Sequence, residues 1–142
     1  MRGGTWLDGH RDYGACFIRL AIGARLMSGT QDNVFSYERM LEFERFLAAN
    51  GTPFPLAGAF VSVYAQFACG ALFVLGLWTR PAAAIMIINF LAALVIAHRA
   101  TPFEATWPAL MMLAAALFFL FHGAGRPSID AWRAERAGRL TR

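Results

Sequence analysis

The chain contains no lysine; all 13 of its permanent cations are arginine. Charged residues of every kind make up only 15% of it, where a soluble domain carries about 25%. Hydrophobic residues reach 58% and mean hydropathy is +0.46. One soluble core of 142 residues could not hide that much Leu, Ala, Ile and Phe. The shortage of charge therefore excludes an ordinary soluble domain, and the apolar surplus calls for lipid. Cysteine is also scarce. Cys16 and Cys69 form no CxxC pair and read as small buried apolar residues. His10, His98 and His122 lack metal-ligand spacing, so no metal site is expected. Nucleotide loops, haem motifs and hydrolase elbows are missing. Any redox chemistry would then use a mobile quinone or a partner's cofactor. The net charge is +4, but no aromatic interleaving or recognised motif accompanies the basic tail, which argues against nucleic acid. The polar opening "MRGGTWLDGHRDYG" lacks the apolar run of a signal peptide, so the first helix is expected to stay as an anchor.

What is present are long apolar runs. A spanning helix needs about 20 mostly apolar residues. Four stretches approach this: Tyr13 to Gln31, Leu56 to Trp78, Ala82 to His98, and Trp107 to His122. The tripeptide Thr79-Arg80-Pro81 reads as a very short turn, making the second and third spans antiparallel neighbours. "RATPFEAT" joins the third and fourth. Between the first two lies "SYERMLEFERFLAANGTPFP". Ser36 is a good N-cap, with Glu38 and Glu42 near the positive end of the dipole. Met40, Phe43, Phe46 and Leu47 repeat at helical spacing, and Asn50-Gly51 with Pro53 and Pro55 ends the run. This predicts an amphipathic helix over 36–49, lying on the bundle end or in the headgroup zone. Its functional alternative is a lid over a pocket. The fold expected is all-α: an integral membrane four-helix bundle with an extra amphipathic helix between helices one and two. Residues 1–142 form one domain, ending in a basic tail over 126–142.

Arginine placement predicts orientation. The face with both termini and the Thr79–Pro81 turn carries Arg2, Arg11, Arg80, Arg126, Arg133, Arg136, Arg139 and Arg142. The other face carries Arg39, Arg45 and Arg99. The positive-inside bias puts both termini in the cytoplasm. Trp6, Trp78, Trp107 and Trp132 fall near the interfaces, as an aromatic belt requires.

Two charges interrupt the first span. Arg19 is expected near mid-membrane, and Arg25 about 9 Å below the outer end at 1.5 Å per residue. A buried arginine costs at least roughly 2.5–3.5 kcal/mol on insertion scales, so each needs a protein partner or a wet cavity. Arg25 and Asp32 share a face two turns apart. Arg19 and Arg25 point to different sides, so one could pair within the bundle while the other snorkels or meets another subunit. A homo-oligomer or a contact with other membrane subunits along helix one is expected for Arg19. Gln66, His98 and Glu104 lie at depths matching Arg25, and these four form a candidate quinone pocket. Arg25 would anchor a ring carbonyl and Gln66 would donate to the same ring. His98 would exchange protons at the aqueous edge, with Glu104 holding its tautomer or receiving the proton. Gln66 and Asn89 have a plainer use as hydrogen-bonding glue between helices.

Several segments together resemble the DoxX family of four-helix bacterial membrane proteins. They are "RLAIGARLMSGTQDN", "FLAANGTPFP", "GALFVLGLWTRPAA", "AALVIAH" and "GAGRPSIDAWR", within roughly residues 17 to 132. The turn Gly76–Arg80 and the stretch Gly123–Asp130 are the most specific. The resemblance implies a bacterial inner-membrane location and a link to the small subunit of thiosulfate:quinone oxidoreductase or to other membrane redox complexes. Where many relatives carry a lysine after the first-helix glycine, this chain has Asp32, and where many carry a glutamate in helix two it has Gln66. That weakens proton transfer there and leaves hydrogen bonding intact. In the terminal stretch, Arg126 and Asp130 are expected to pair and cap the last span. Two functions stay open: a quinone-interacting subunit of a redox complex, and a noncatalytic structural or assembly subunit.

Overall fold

The computed structural model describes residues 10–97 and 102–140. Among them the secondary structure is entirely helical: α1 (Arg11–Phe35), α2 (Tyr37–Ala49), α3 (Pro55–Leu75), α4 (Thr79–Ala97), α5 (Phe103–His122) and α6 (Ile129–Leu140). The helices α3, α4 and α5 are long and apolar enough to cross a membrane. The 25-residue α1 is the longest, about 37 Å at 1.5 Å per residue.

Local chemistry sets the boundaries. Ser36 caps α2 by accepting from the Arg39 backbone N–H. Pro55 opens α3, where its missing N–H costs no helical hydrogen bond. Gly76, at φ 63°, closes α3 in the left-handed region that glycine enters without a Cβ clash. The reversal into α4 occupies Gly76–Trp78. Thr79-Arg80-Pro81, expected to be that turn, is instead the first turn of α4, where proline is tolerated. The last span begins at Phe103, earlier than Trp107, with Pro102 as its cap. The 126–142 tail contains a 12-residue helix, α6. Ser128 nucleates it, accepting from the Ala131 N–H while donating to the Gly125 carbonyl. The signal was legible as Ser128 followed by Asp130, a capping residue and an acid in the first turn.

Helix α1 packs along α3, and α4 packs along α5. The α1–α3 crossing is a contact of bare backbones. A Cβ on Gly23 would stand 2.7 Å from the Gly70 carbonyl oxygen, and a Cβ on Gly70 would stand 2.9 Å from that of Gly23. Small residues permit this close approach where lipid gives no hydrophobic drive between helices. Gly70→Leu is therefore expected to lower the thermal midpoint in detergent by the equivalent of about 1–3 kcal/mol or more, the scale of overpacking. Gly14→Leu, on the same α1 but with nothing within 4 Å, should leave it unchanged. Equal midpoints for both would remove the crossing from the account.

Around that crossing, Leu26 of α1, Cys69 and Phe73 of α3, Met86 and Phe90 of α4, and Phe119 of α5 form one buried cluster. The Phe73 and Phe119 rings meet at 5.4 Å. A second cluster, Met40, Leu47, Ala59 and Val63, fastens α2 onto α3. The Asn33 side-chain amide donates to the Arg39 carbonyl at 2.9 Å and ties the end of α1 to the start of α2. These contacts fix α2 beside the end of the helix pair where Arg25 lies.

Candidate functional site

Arg19 and Arg25 have opposite fates. Arg19 is 2% exposed. It donates to the Ala124 carbonyl at 2.7 Å and the Pro127 carbonyl at 2.7 Å. Its guanidinium also reaches the Cys16 sulfur at 3.7 Å and lies against Gly76, where a Cβ would stand 2.5 Å from Nη1. Arg19 thus sits level with the end of α3, in place of the mid-membrane depth expected from counting along an assumed span. Its partners belong to its own chain, so Arg19 needs no subunit contact to be satisfied. The two most specific stretches, Gly76–Arg80 and Gly123–Asp130, converge on it.

Asp130 completes that junction. Its carboxylate accepts from the Trp78 and Thr79 backbone N–H groups at 2.9 and 3.0 Å. It so caps α4 and holds Trp78 at φ 49°, a left-handed conformation costly for a residue with a Cβ. Arg126 forms its ion pair with Glu135, so the expected Arg126–Asp130 pair is replaced by two separate roles. A cavity of about 470 Å³ near Arg80, His122 and Asp130 lies at this end. Its charges are engaged: Asp130 caps α4 and Arg80 donates to the Phe121 carbonyl at 3.3 Å.

Arg25 has no such partner. Among the described residues its guanidinium makes no ion pair and no hydrogen bond; Asp32, two turns away, is exposed and unpaired with it. The guanidinium lies over Gly29, in space a Cβ would take. It lines a cavity of about 490 Å³ shared with Gln66. Apolar groups supply most of the rest of the wall, among them Leu26, Phe90, Met111 and Met112, with Phe43 and Phe46 on the α2 side. The Phe43 and Phe46 rings are nearly parallel, 15° apart with centroids at 6.3 Å. Gln66 donates one N–H to Ser62 Oγ at 3.1 Å, one turn back on its own helix. An amide carries two N–H donors and a carbonyl, so a donor and an acceptor remain.

Of the four residues proposed from the sequence, the structure therefore brings Arg25 and Gln66 to one cavity. Glu104 is exposed in the first turn of α5 and does not line it, although the adjacent Ala105 does. His98 lies outside the described residues. Ser62, which orients Gln66, and Gly29, which makes room for Arg25, were missed. The i, i+4 spacings of Ser62 with Gln66 and of Arg25 with Gly29 could have flagged both. Gln66 bonds within α3, and Asn89 makes no side-chain hydrogen bond among the described residues, so neither shows interhelical glue there. No group of three or more His, Cys, Asp or Glu side chains fit to hold a metal occurs among the described residues.

Described residues that are entirely helical, with three helices fit to cross a membrane and a cavity beside them lined by one arginine, define the class. The chain belongs to the DoxX family, whose family model matches residues 14–99, from α1 through α4. It is similar to the inner membrane protein YphA of Escherichia coli (strain K12), at 31% identity over 90 residues. That match covers 61% of this chain and 64% of YphA, so the chain spans less than two thirds of that relative's length. No solved structure matches it.

Proposed function

We propose that the chain is a small quinone-interacting subunit of a redox complex in the bacterial inner membrane. The single observation carrying this reading is the Arg25 guanidinium, exposed and unpartnered among the described residues at the wall of an open, mostly apolar cavity that it shares with Gln66. Arginine cannot shed its proton to relieve the cost of that position. A ligand bringing an oxygen acceptor would relieve it. The volume falls within the roughly 300–1,000 Å³ usual for small-molecule pockets. A donor from Arg25 and a donor from Gln66 suit the carbonyl of a quinone ring. The quinone, when bound, supplies reversible uptake of electrons and protons. The chain's own share is to orient the ring through Arg25 and Gln66 and to keep water from it with Phe43 and Phe46. His98 and Glu104 are assigned proton exchange at the outer edge, on sequence position alone.

In this reading α1 is the fourth span and α2 lies across the outer end of the four-helix bundle. Arg80, Arg126, Arg133, Arg136 and Arg139 mark the cytoplasmic side, with both termini there. YphA, an inner membrane protein by name, supports the location. The electron donor belongs to a partner subunit. The second reading, a noncatalytic structural or assembly subunit, is favoured by the exposed apolar side chains Phe17, Ile18 and Leu20 on α1, which lipid or a partner helix would cover.

Thermal unfolding of the purified protein in a gentle detergent separates them. A quinone at about 100 times its Kd should stabilise the fold by about 2.7 kcal/mol and raise the midpoint accordingly. A midpoint indifferent to quinone, in a protein that co-purifies stoichiometrically with another membrane subunit, supports the second reading instead.

A further inference from the structure

A second cavity of about 350 Å³ adjoins the first. It lies between α2, α3 and α4, and its surface is almost wholly apolar. Phe43, Phe46, Ser62 and Ala93 line both spaces, so they meet under the same two α2 rings. The first space carries the cation; the second carries none. Its α3 and α4 walls include Val61 and Ile88, each 70% exposed, so the groove opens sideways toward the surface these spanning helices present to lipid. Asn89 is the polar exception on α4. It stands one turn from the shared Ala93 on the same helix face.

We propose that this groove is the second half of the site and takes the apolar tail of a membrane-dissolved, long-chain quinone, which arrives laterally between α3 and α4. The inference rests on the quinone reading of the Arg25 cavity and adds the substrate class to it. A polar ring against Arg25 and Gln66 needs somewhere to send its tail. Phe43 and Phe46 line both spaces, so a tail passing beneath them would return to lipid along mostly apolar walls. A ligand drawn from the aqueous side would need no such groove. Lining by small residues, Gly58, Ala65 and Ala92, leaves the width that an unbranched or isoprenoid chain requires.

The test compares two quinones in the same detergent, one with no tail and one with a ten-carbon tail. Ala92→Phe fills the groove from an exposed position, so folding is not at stake. Leu91→Phe, exposed on the same helix but outside the groove, is the control. Ala92→Phe is expected to weaken the tailed quinone roughly tenfold or more, the scale of overpacking a filled space, and to leave the tailless one unchanged. Leu91→Phe should change neither. If Ala92→Phe weakens both equally, or neither, the groove is not the tail's path although the Arg25 cavity still binds quinone. If the wild-type protein binds neither compound, the cavity reading fails and the groove assignment falls with it.

Discussion

Arg19→Leu is expected to give a protein that no longer holds its C-terminal segment. Both hydrogen bonds from the guanidinium, to the Ala124 and Pro127 carbonyls, would be lost together. Bonds to a charged group contribute about 1.5–3 kcal/mol each, so their loss approaches about 3–6 kcal/mol. The thermal midpoint in detergent should fall sharply, and the Gly123–Ser128 segment should become open to limited proteolysis. Arg19→Lys should recover only part of this, because a single ammonium lacks the planar fork that reaches two carbonyls at once. A wild-type midpoint for Arg19→Leu, joined to altered migration of the native complex, would return Arg19 to a contact between subunits.

Arg25→Leu should behave in the opposite way. Arg25 stabilises nothing in the chain through an ion pair or a side-chain hydrogen bond among the described residues, so the fold should persist. Arg25 is exposed, so its removal should leave the midpoint close to wild type. Quinone affinity should fall by roughly 10- to 100-fold, the loss of one charge-assisted hydrogen bond. An equilibrium titration of both proteins in the same detergent measures it. Equal affinities would mean that Arg25 does not face the ligand. On the proposed function, the two arginines, six residues apart on one helix, divide into one that holds the fold and one that would hold the ligand.

Sequence pattern located the apolar helices well because length and hydropathy are properties of the segment alone. The ends were less legible. Thr79-Arg80-Pro81 looked like a turn, but the left-handed Gly76 and the Asp130 carboxylate move the reversal three residues earlier. Asp130 lies 51 residues from Thr79, and no local pattern announces that pairing. The partners of Arg19 are illegible for the same reason. Its cost in lipid was visible, whereas its acceptors are backbone carbonyls more than 100 residues away, and a carbonyl leaves no mark in the composition. The cavity was partly legible. Matching depths on α1 and α3 put Arg25 and Gln66 together. Depth gives no azimuth, so the facing of Glu104 and the Phe43–Phe46 cover on α2 emerged only from the packed helices. The crossing of Gly23 and Gly70 carries a plain small-residue signal on each helix, yet either glycine alone has many possible partners.

The most direct measurement is the amount of quinone that travels with the protein when it is purified alone, in a gentle detergent, from quinone-replete membranes. Organic extraction of a known amount of protein gives a molar ratio. The expected result is close to one quinone per wild-type chain and essentially none for Arg25→Leu purified in parallel. A wild-type protein without quinone, or equal amounts in the two proteins, would contradict the assignment of the Arg25 and Gln66 cavity as a quinone site.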